Sequence, residues 1–353
     1  MTSPEFHALP VTAIDPLTDD SVALSFVVPA DLRSAYAFTA GQHVAIRVPG
    51  DDIRRSYSLC VAPTPDPSGG ELVLRIGVKR LPGGVFSQKV LEDLRVGDEL
   101  EVMTPMGRFG ASLVGLRRPA FVAAGSGITP VLSMAAGALA DPGVEEVTLV
   151  DCNRSQRDVM FLEELAALKD LHAARFQLVH VLTREPQESA LLSGRLDAER
   201  FAAIRAALVG EADGWFLCGP FDLVTTLHDA LLAAGVDPAD VHTELFHAEA
   251  PPAAPLVDAP VHGTEATATL GGLGSTFTVA PGEHVLDGLL RVRGDAPYAC
   301  KGGVCGTCRA RLVEGSVTMD ANWALEPDEV ERGYVLTCQS RPTSDRVVLD
   351  YDG

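Results

Sequence analysis

Basic side chains are scarce in this chain of 353 residues: 28 Lys and Arg stand against 48 Asp and Glu, a formal net charge of −20. Nucleic acids are held largely by Lys and Arg on phosphates, so that class of partner is excluded. The acidity suits steering toward a basic protein surface, and it equally suits plain solubility. Long apolar runs are missing as well. None reaches the ~20 residues that cross a bilayer, and the opening MTSPEFHALPVTAIDP has neither the charged start nor the apolar core of a secretory signal. A cytoplasmic protein with no membrane partner is therefore expected. Cysteines number only seven, an odd count that argues against a disulfide framework in such a compartment. Hydrolytic signatures are lacking: H-E-x-x-H is absent, and the nine histidines are scattered.

With 46% hydrophobic residues the chain can build two or three cores of ordinary size. Its texture changes three times. Residues 1–113 carry short alternating runs (SVALSFVVP, GQHVAIRVP, ELVLRIGVKR) bounded by Gly, Pro and Asp, which predict an antiparallel β-barrel or sandwich. Residues 114–247 alternate buried strands with helices, beginning at PAFVAAGSGITPVLSM. That pattern predicts an α/β domain with four parallel strands, whose ligands sit at the strands' carboxyl ends. Residues 248–260, rich in Pro and Ala, read as a semi-stiff linker. The last part, 261–353, holds strand-like segments, a short helix at HVLDGLLRV, and most of the cysteines. The fold expected is a multidomain α+β chain.

Three cysteines fall within nine residues, CKGGVCGTC, and a fourth follows in LTCQS. Cys300, Cys305, Cys308 and Cys338 are thus spaced C-x4-C-x2-C-x29-C. The first three match the plant-type [2Fe–2S] spacing. A binuclear cluster needs two thiolates per iron and a loop that curls tightly around it, and Gly302, Gly303 and Gly306 permit the curl. The competing metal, structural zinc, usually takes two paired knuckles, whereas the second half here offers one lone cysteine. A resemblance to plant-type ferredoxins places residues 261–353 in a β-grasp domain.

The segment RRSYSL contains Arg55, Ser56, Tyr57 and Ser58. It resembles the R-x-Y-S strand of the ferredoxin–NADP reductase superfamily. The resemblance implies that Arg55 pairs with a flavin phosphate, Tyr57 lies against the isoalloxazine and Ser58 bonds near its N5. Side chains alternating on a core strand account for Tyr57 as well. In LPGGVFSQKVLEDL, Gly83, Gly84 and Ser87 open a helix whose free N–H groups suit a pyrophosphate, which favours FAD and leaves FMN as the alternative. A hairpin turn with a capping serine reads the same.

AAGSGITPVLSM is not a G-x-G-x-x-G turn. Gly125, Gly127, Thr129 and Pro130 instead match the shorter G-x-G-[IV]-[TA]-P turn of that superfamily, which implies an NAD(P) pyrophosphate over the helix start. Cys218, Gly219 and Pro220 in FLCGP stand where the superfamily places the nicotinamide. Arg154 and Ser155 follow the second strand and Arg184 the third, and two arginines near the adenosine ribose favour NADPH over NADH. Tyr57, Ser58 and Cys218 are the catalytic candidates.

Electron counting joins the parts. A nicotinamide yields two electrons as hydride, a [2Fe–2S] centre takes one, and a flavin between them converts pairs to singles. Over nearly its whole length the chain is similar to reductase subunits of phenylacetyl-CoA epoxidases, above all in PYACKGGVCGTCRARLVEGSVTMDANWALEPDEVERGYVLTCQSRP, VHTELFHAE and NRSQRDVMFLEEL. That resemblance implies FAD, a [2Fe–2S] cluster, NADPH, and a multisubunit di-iron oxygenase as electron acceptor. Reductases of steroid 9α-hydroxylases, benzoyl-CoA epoxidase and aromatic-ring dioxygenases share the architecture and stay open as alternatives. So does a metal-stapled binding module without catalysis. The four carboxylates of EPDEVE offer a docking face for a basic oxygenase patch, or a solvated helix face.

Overall fold

A computed structural model of the protein describes residues 5–49, 54–63, 70–246 and 263–353. These fall into two compact units, one spanning Phe6–Phe246 and one containing residues 263–353. The first two expected domains thus share one unit, and the expected linker at 248–260 lies outside the described residues.

The first unit begins with six strands: β1 (Phe6–Thr18), β2 (Ser21–Val28), β3 (His43–Arg47), β4 (Arg54–Ser58), β5 (Leu72–Lys79) and β6 (Glu99–Met103). They pair antiparallel in the order β4-β3-β6-β1-β2-β5. A bridge from Leu59 to Ile76 joins the two edges and closes the barrel. The period-two pattern of the sequence is what fills it. Leu72, Leu74, Ile76 and Val78 of β5 share one face and all enter the core, beside Val44, Ile46 and Leu24. Helix α1 (Val85–Glu92) plugs that core with Phe86 and Val90.

The same unit continues with a parallel sheet of β7 (Pro119–Ala124), β8 (Val147–Asn153), β9 (Phe176–Leu182), β10 (Gly214–Gly219) and β11 (Val241–Leu245), ordered β11-β10-β7-β8-β9. Helices α2 (Ile128–Ala140), α3 (Leu162–Leu171), α4 (Ala198–Ile204) and α5 (Phe221–Ala233) connect them. Every residue of β7, β8 and β10 is buried, as strands covered on both faces require. The fifth strand, β11, is an addition to the four that the sequence pattern predicts. Barrel and parallel sheet are locked by close contacts. A Cβ on Gly77 of β5 would stand 2.7 Å from Thr129 Cγ2 and 3.0 Å from the Phe161 ring, so only glycine lets the two surfaces meet. Ser133 Oγ donates to Val61 O at 2.7 Å, and Arg75 pairs with Glu164 at 2.8 Å across the same seam.

The second unit contains β12 (Thr264–Leu270), β13 (Leu273–Val279), α6 (Val285–Leu290), β14 (Arg309–Glu314), β15 (Val317–Met319), α7 (Pro327–Glu331), β16 (Tyr334–Leu336), β17 (Ser340–Pro342) and β18 (Arg346–Asp350). Its main sheet runs β13-β12-β18-β14-β16, with β18 parallel to β12. Val285, Leu286 and Leu289 of α6 share a core with Ala266, Val347 and Leu349, the β-grasp arrangement of a sheet closed over one helix. The loop between α6 and β14 carries three cysteines, and the fourth follows β16. Among the described residues, no helix is long and apolar enough to cross a membrane.

Candidate functional sites

Within the first unit, two glycine turns from distant parts of the sequence are pressed together. Gly125–Gly127 link β7 to α2, and Gly125 adopts φ 56°. A Cβ on Gly127 would lie 2.1 Å from Cys218 O and 2.9 Å from Gly219 N, so no other residue fits where these turns touch. The first turn of α2 has no side-chain cap and no acidic residue, but Ile128 N–H already bonds back to Gly125 O and Ser126 O and Pro130 has no N–H, so of these three residues only Thr129 has an N–H to offer an anion. Thr129 and Pro130 lie in that turn but are buried. The Thr129 hydroxyl donates to Ser126 O at 3.0 Å, so its side chain ties the turn together.

Ser58, the last residue of β4, donates through Oγ to Glu244 Oε2 at 3.0 Å. Glu244 sits on β11 in register with Cys218 on β10. Barrel strand, glycine turn and sheet edge therefore converge on Ser58, Cys218 and Glu244. Burial pushes the Cys218 thiol well above its ordinary value, and the Glu244 carboxylate adds to the effect, so this sulfur stays protonated. Glu244 is the site residue that motif reading missed. The segment VHTELFHAE that contains it carries the family resemblance, but nothing in that segment singles out Glu244.

Tyr57 packs beside Phe86, ring centroids 5.6 Å apart, and burial raises its hydroxyl above the ordinary phenol value. Arg55 is exposed, with Nη1 donating to Arg54 O at 2.7 Å. Ser56 Oγ is buried with no hydrogen-bond partner among the described residues. An orphaned hydroxyl in this strand is costly unless a ligand satisfies it, which fits a strand that holds a cofactor. At α1, Gly83 adopts φ 74° and Gly84 is an N-cap without a side-chain cap. Ser87 Oγ accepts from Leu81 N at 3.1 Å and donates to Gly84 O at 3.2 Å, and Gly84 N–H donates to Leu81 O at 2.8 Å, so the turn is closed internally and any donors left for an anion are the first N–H groups of α1.

Beyond β8 and β9 the three polar candidates divide. Arg154 is engaged by Asp158 at 2.9 Å and by Asp20 at 3.4 Å. Ser155 Oγ donates to Asp158 Oδ2 at 2.6 Å. Arg184 bonds Arg154 O through its backbone N–H at 2.7 Å, and its exposed guanidinium has no partner among the described residues. Asp151, near the end of β8, is fully buried between Asn153 (2.8 Å) and His180 (3.4 Å) and is closed to a ribose.

In the second unit the four cysteines form two pairs. Cys300 and Cys305 hydrogen-bond to each other; that bond holds the Cys300 thiol down to about 6 and pushes Cys305 well above the ordinary value. Cys308 and Cys338 do the same, with Cys338 lowered and Cys308 raised. Four thiols are the donor number of a [2Fe–2S] cluster and equally of one tetrahedral ion; the plant-type spacing of the first three favours the cluster. The donor set therefore fits a [2Fe–2S] cluster. The loop supplies the necessary curl: Lys301 adopts φ 51°, Gly303 φ 75° and Gly306 φ 67°. Gly302 N–H then donates to Cys300 Sγ at 3.3 Å, and Thr307 Oγ1 lies 3.1 Å from Cys305 Sγ. The segment from Ala321 covers this loop, with Trp323 N–H donating to Gly303 O at 3.0 Å. The carboxylates of EPDEVE are largely consumed internally. Glu329 is buried against Arg309, and Asp328 pairs with Arg332 at 2.7 Å.

Comparison with known proteins covers both units. The oxidoreductase FAD-binding domain matches residues 8–110, the oxidoreductase NAD-binding domain residues 121–229, and the 2Fe-2S iron-sulfur cluster binding domain residues 268–343. The chain is 38% identical to a subunit of the 1,2-phenylacetyl-CoA epoxidase of Escherichia coli K12 over 98% of both chains. It is 34% identical to the ferredoxin reductase component of 3-ketosteroid-9-alpha-monooxygenase of Rhodococcus rhodochrous, over 97% of this chain and 96% of that one. Phthalate dioxygenase reductase, solved as a modular structure for electron transfer from pyridine nucleotides to [2Fe–2S], superposes with a TM-score of 0.60 at 25% identity over 98% of each chain.

Proposed function

The chain belongs to the family of oxygenase reductases that includes this epoxidase subunit, and on that premise we propose that its client is a multisubunit di-iron oxygenase acting on phenylacetyl-CoA. It is an oxidoreductase that moves electrons from NAD(P)H through FAD and a [2Fe–2S] cluster to a partner oxygenase. The observation that carries the choice of client is the end-to-end similarity to the epoxidase subunit, in unbroken domain order.

The site geometry supports the following residue roles. Arg55 and the first N–H groups of α1 behind Gly83 and Gly84 would hold the flavin phosphates, with Tyr57 against its ring. The turn at Gly125–Gly127, closed by Cys218, Gly219 and Pro220, would receive the nicotinamide nucleotide. Bound FAD would supply the exchange between hydride pairs and single electrons that the cluster requires. Glu244 fixes the proton of the Ser58 hydroxyl and leaves its oxygen free to accept a hydrogen bond. Cys218, a buried neutral thiol, keeps the floor of the site apolar and dry. Arg184, with an unengaged guanidinium, favours the 2′-phosphate of NADPH, and Arg154 reaches the same phosphate only by leaving its two carboxylates. Cys300 and Cys305 would hold one iron, Cys308 and Cys338 the other.

Reconstitution tests the client. The purified protein, NADPH and the phenylacetyl-CoA oxygenase component should together turn over the thioester. Product formed only with a 3-ketosteroid monooxygenase partner, despite normal flavin and cluster reduction, would replace this reading with the second one that the Rhodococcus relative favours.

A further inference from the structure

Gln339, the residue after the fourth cysteine, is only 5% exposed. Its Nε2 lies 2.9 Å from Lys301 O, 2.9 Å from Cys338 O and 3.6 Å from Cys338 Sγ. A primary amide carries two protons, so three acceptors share them, one being a sulfur of the inner cysteine pair. The bond to Lys301 O bears on the outer pair. Lys301 holds a left-handed conformation that a side-chain-bearing residue rarely adopts, and this conformation precedes the Gly302 N–H aimed at Cys300 Sγ. The stem of Gln339 fills the space against Gly303, where a Cβ would stand 3.1 Å from Gln339 Cγ. One buried side chain thus braces the loop of the first pair and reaches the sulfur of the second.

We propose that Gln339 is a positioning residue that sets the reduction potential of the [2Fe–2S] cluster. Reduction adds one electron and breaks no bond, so the added negative charge spreads onto the sulfurs. An amide donor shared with Cys338 Sγ at 3.6 Å, and a loop clamped so that Gly302 N–H faces Cys300 Sγ, both favour the reduced state. Together they raise the potential and make the cluster a better acceptor from the flavin. The proposal rests on the reading of these four cysteines as the cluster ligands.

The test is a redox titration of the full-length holoprotein, with the cluster followed by electron paramagnetic resonance and the flavin by absorbance. Gln339→Met keeps the bulk and removes the donor; Gln339→Glu keeps the shape and replaces the donor by an acceptor. Gln339→Met should shift the cluster's reduction equilibrium about tenfold toward the oxidised state, about 59 mV for a one-electron couple. Gln339→Glu should shift it at least as far, and the flavin should not move in either. Unchanged cluster potentials would overturn the role of Gln339 and leave the cysteine assignment standing. Failure of both variants to hold a cluster that the wild type holds would also overturn it, since Gln339 would then serve assembly. A wild-type protein without a cluster signal would overturn the cysteine assignment and the proposal together.

Discussion

The two units build their sites by opposite means. In the C-terminal unit, three of the four candidate cluster cysteines come from one nine-residue loop, and a backbone N–H and a threonine hydroxyl of that same loop lie against two of their sulfurs. In the first unit no local segment is sufficient. Ser58 and its partner Glu244 lie 186 positions apart, and Gly127 meets Cys218 only because the parallel sheet sets β7 beside β10. A site made locally tolerates change elsewhere but fails when a ligand is lost. A site made by convergence fails whenever the approach of its elements is disturbed.

The largest effect is expected at the local site. Cys305→Ser should abolish the cluster's visible absorbance and reduce electron delivery to a protein acceptor to background, while NADPH still bleaches the flavin at a near-normal rate. Stopped-flow absorbance separates the two, and delivery that survives would break the contrast outright. At the convergent site Gly127→Ala sets a methyl group against backbone that cannot yield. It should destabilise the first unit by about 3 kcal/mol, the upper part of the range for overpacking, read as a lowered unfolding midpoint with the iron–sulfur signal retained. A variant as stable as wild type would mean that the two turns do not bear on each other.

Glu244→Gln keeps the shape and removes the charge that orients Ser58. Hydride transfer from NADPH should slow by about 100-fold, the low end of the range for positioned polar groups acting on proton and charge placement. Adding Ser58→Ala should cost little more, because residues acting as one unit are not additive. Fully additive losses would separate the two residues. The smallest change is expected at the rim. Arg184→Ala should raise KM for NADPH roughly tenfold, the loss of one charge-assisted hydrogen bond, and leave KM for NADH unaltered. An equal effect on both nucleotides would remove Arg184 from the 2′-phosphate.

The same contrast explains what the sequence made legible. The cysteine spacing is legible without tertiary knowledge for the three candidate ligands on one loop, whereas Cys338 is joined to them only by the fold. The strand RRSYSL and the turn GSGITP were readable as motifs, yet their sequence does not say which hydroxyls remain free. Ser87 and Thr129 look like cofactor ligands on paper, but their side chains close turns in the fold. Arg154 and Arg184 look equivalent on paper. They differ because Asp158, four residues on, and Asp20, brought from the barrel, both reach Arg154 and neither reaches Arg184. Glu244 was invisible for the complementary reason: a lone carboxylate on a five-residue strand gains meaning only from the serine it meets. EPDEVE reads as an acidic face, whereas burial against Arg309 turns Glu329 into a structural ion pair.

The most direct test of the electron path is a freeze-quench experiment on the anaerobic full-length protein mixed with NADPH. Flavin bleaching should come first, followed within the same turnover by the paramagnetic signal of a reduced [2Fe–2S] cluster, and both should be discharged when the oxygenase is added. A flavin that bleaches while no reduced-cluster signal ever appears would contradict the account at its centre.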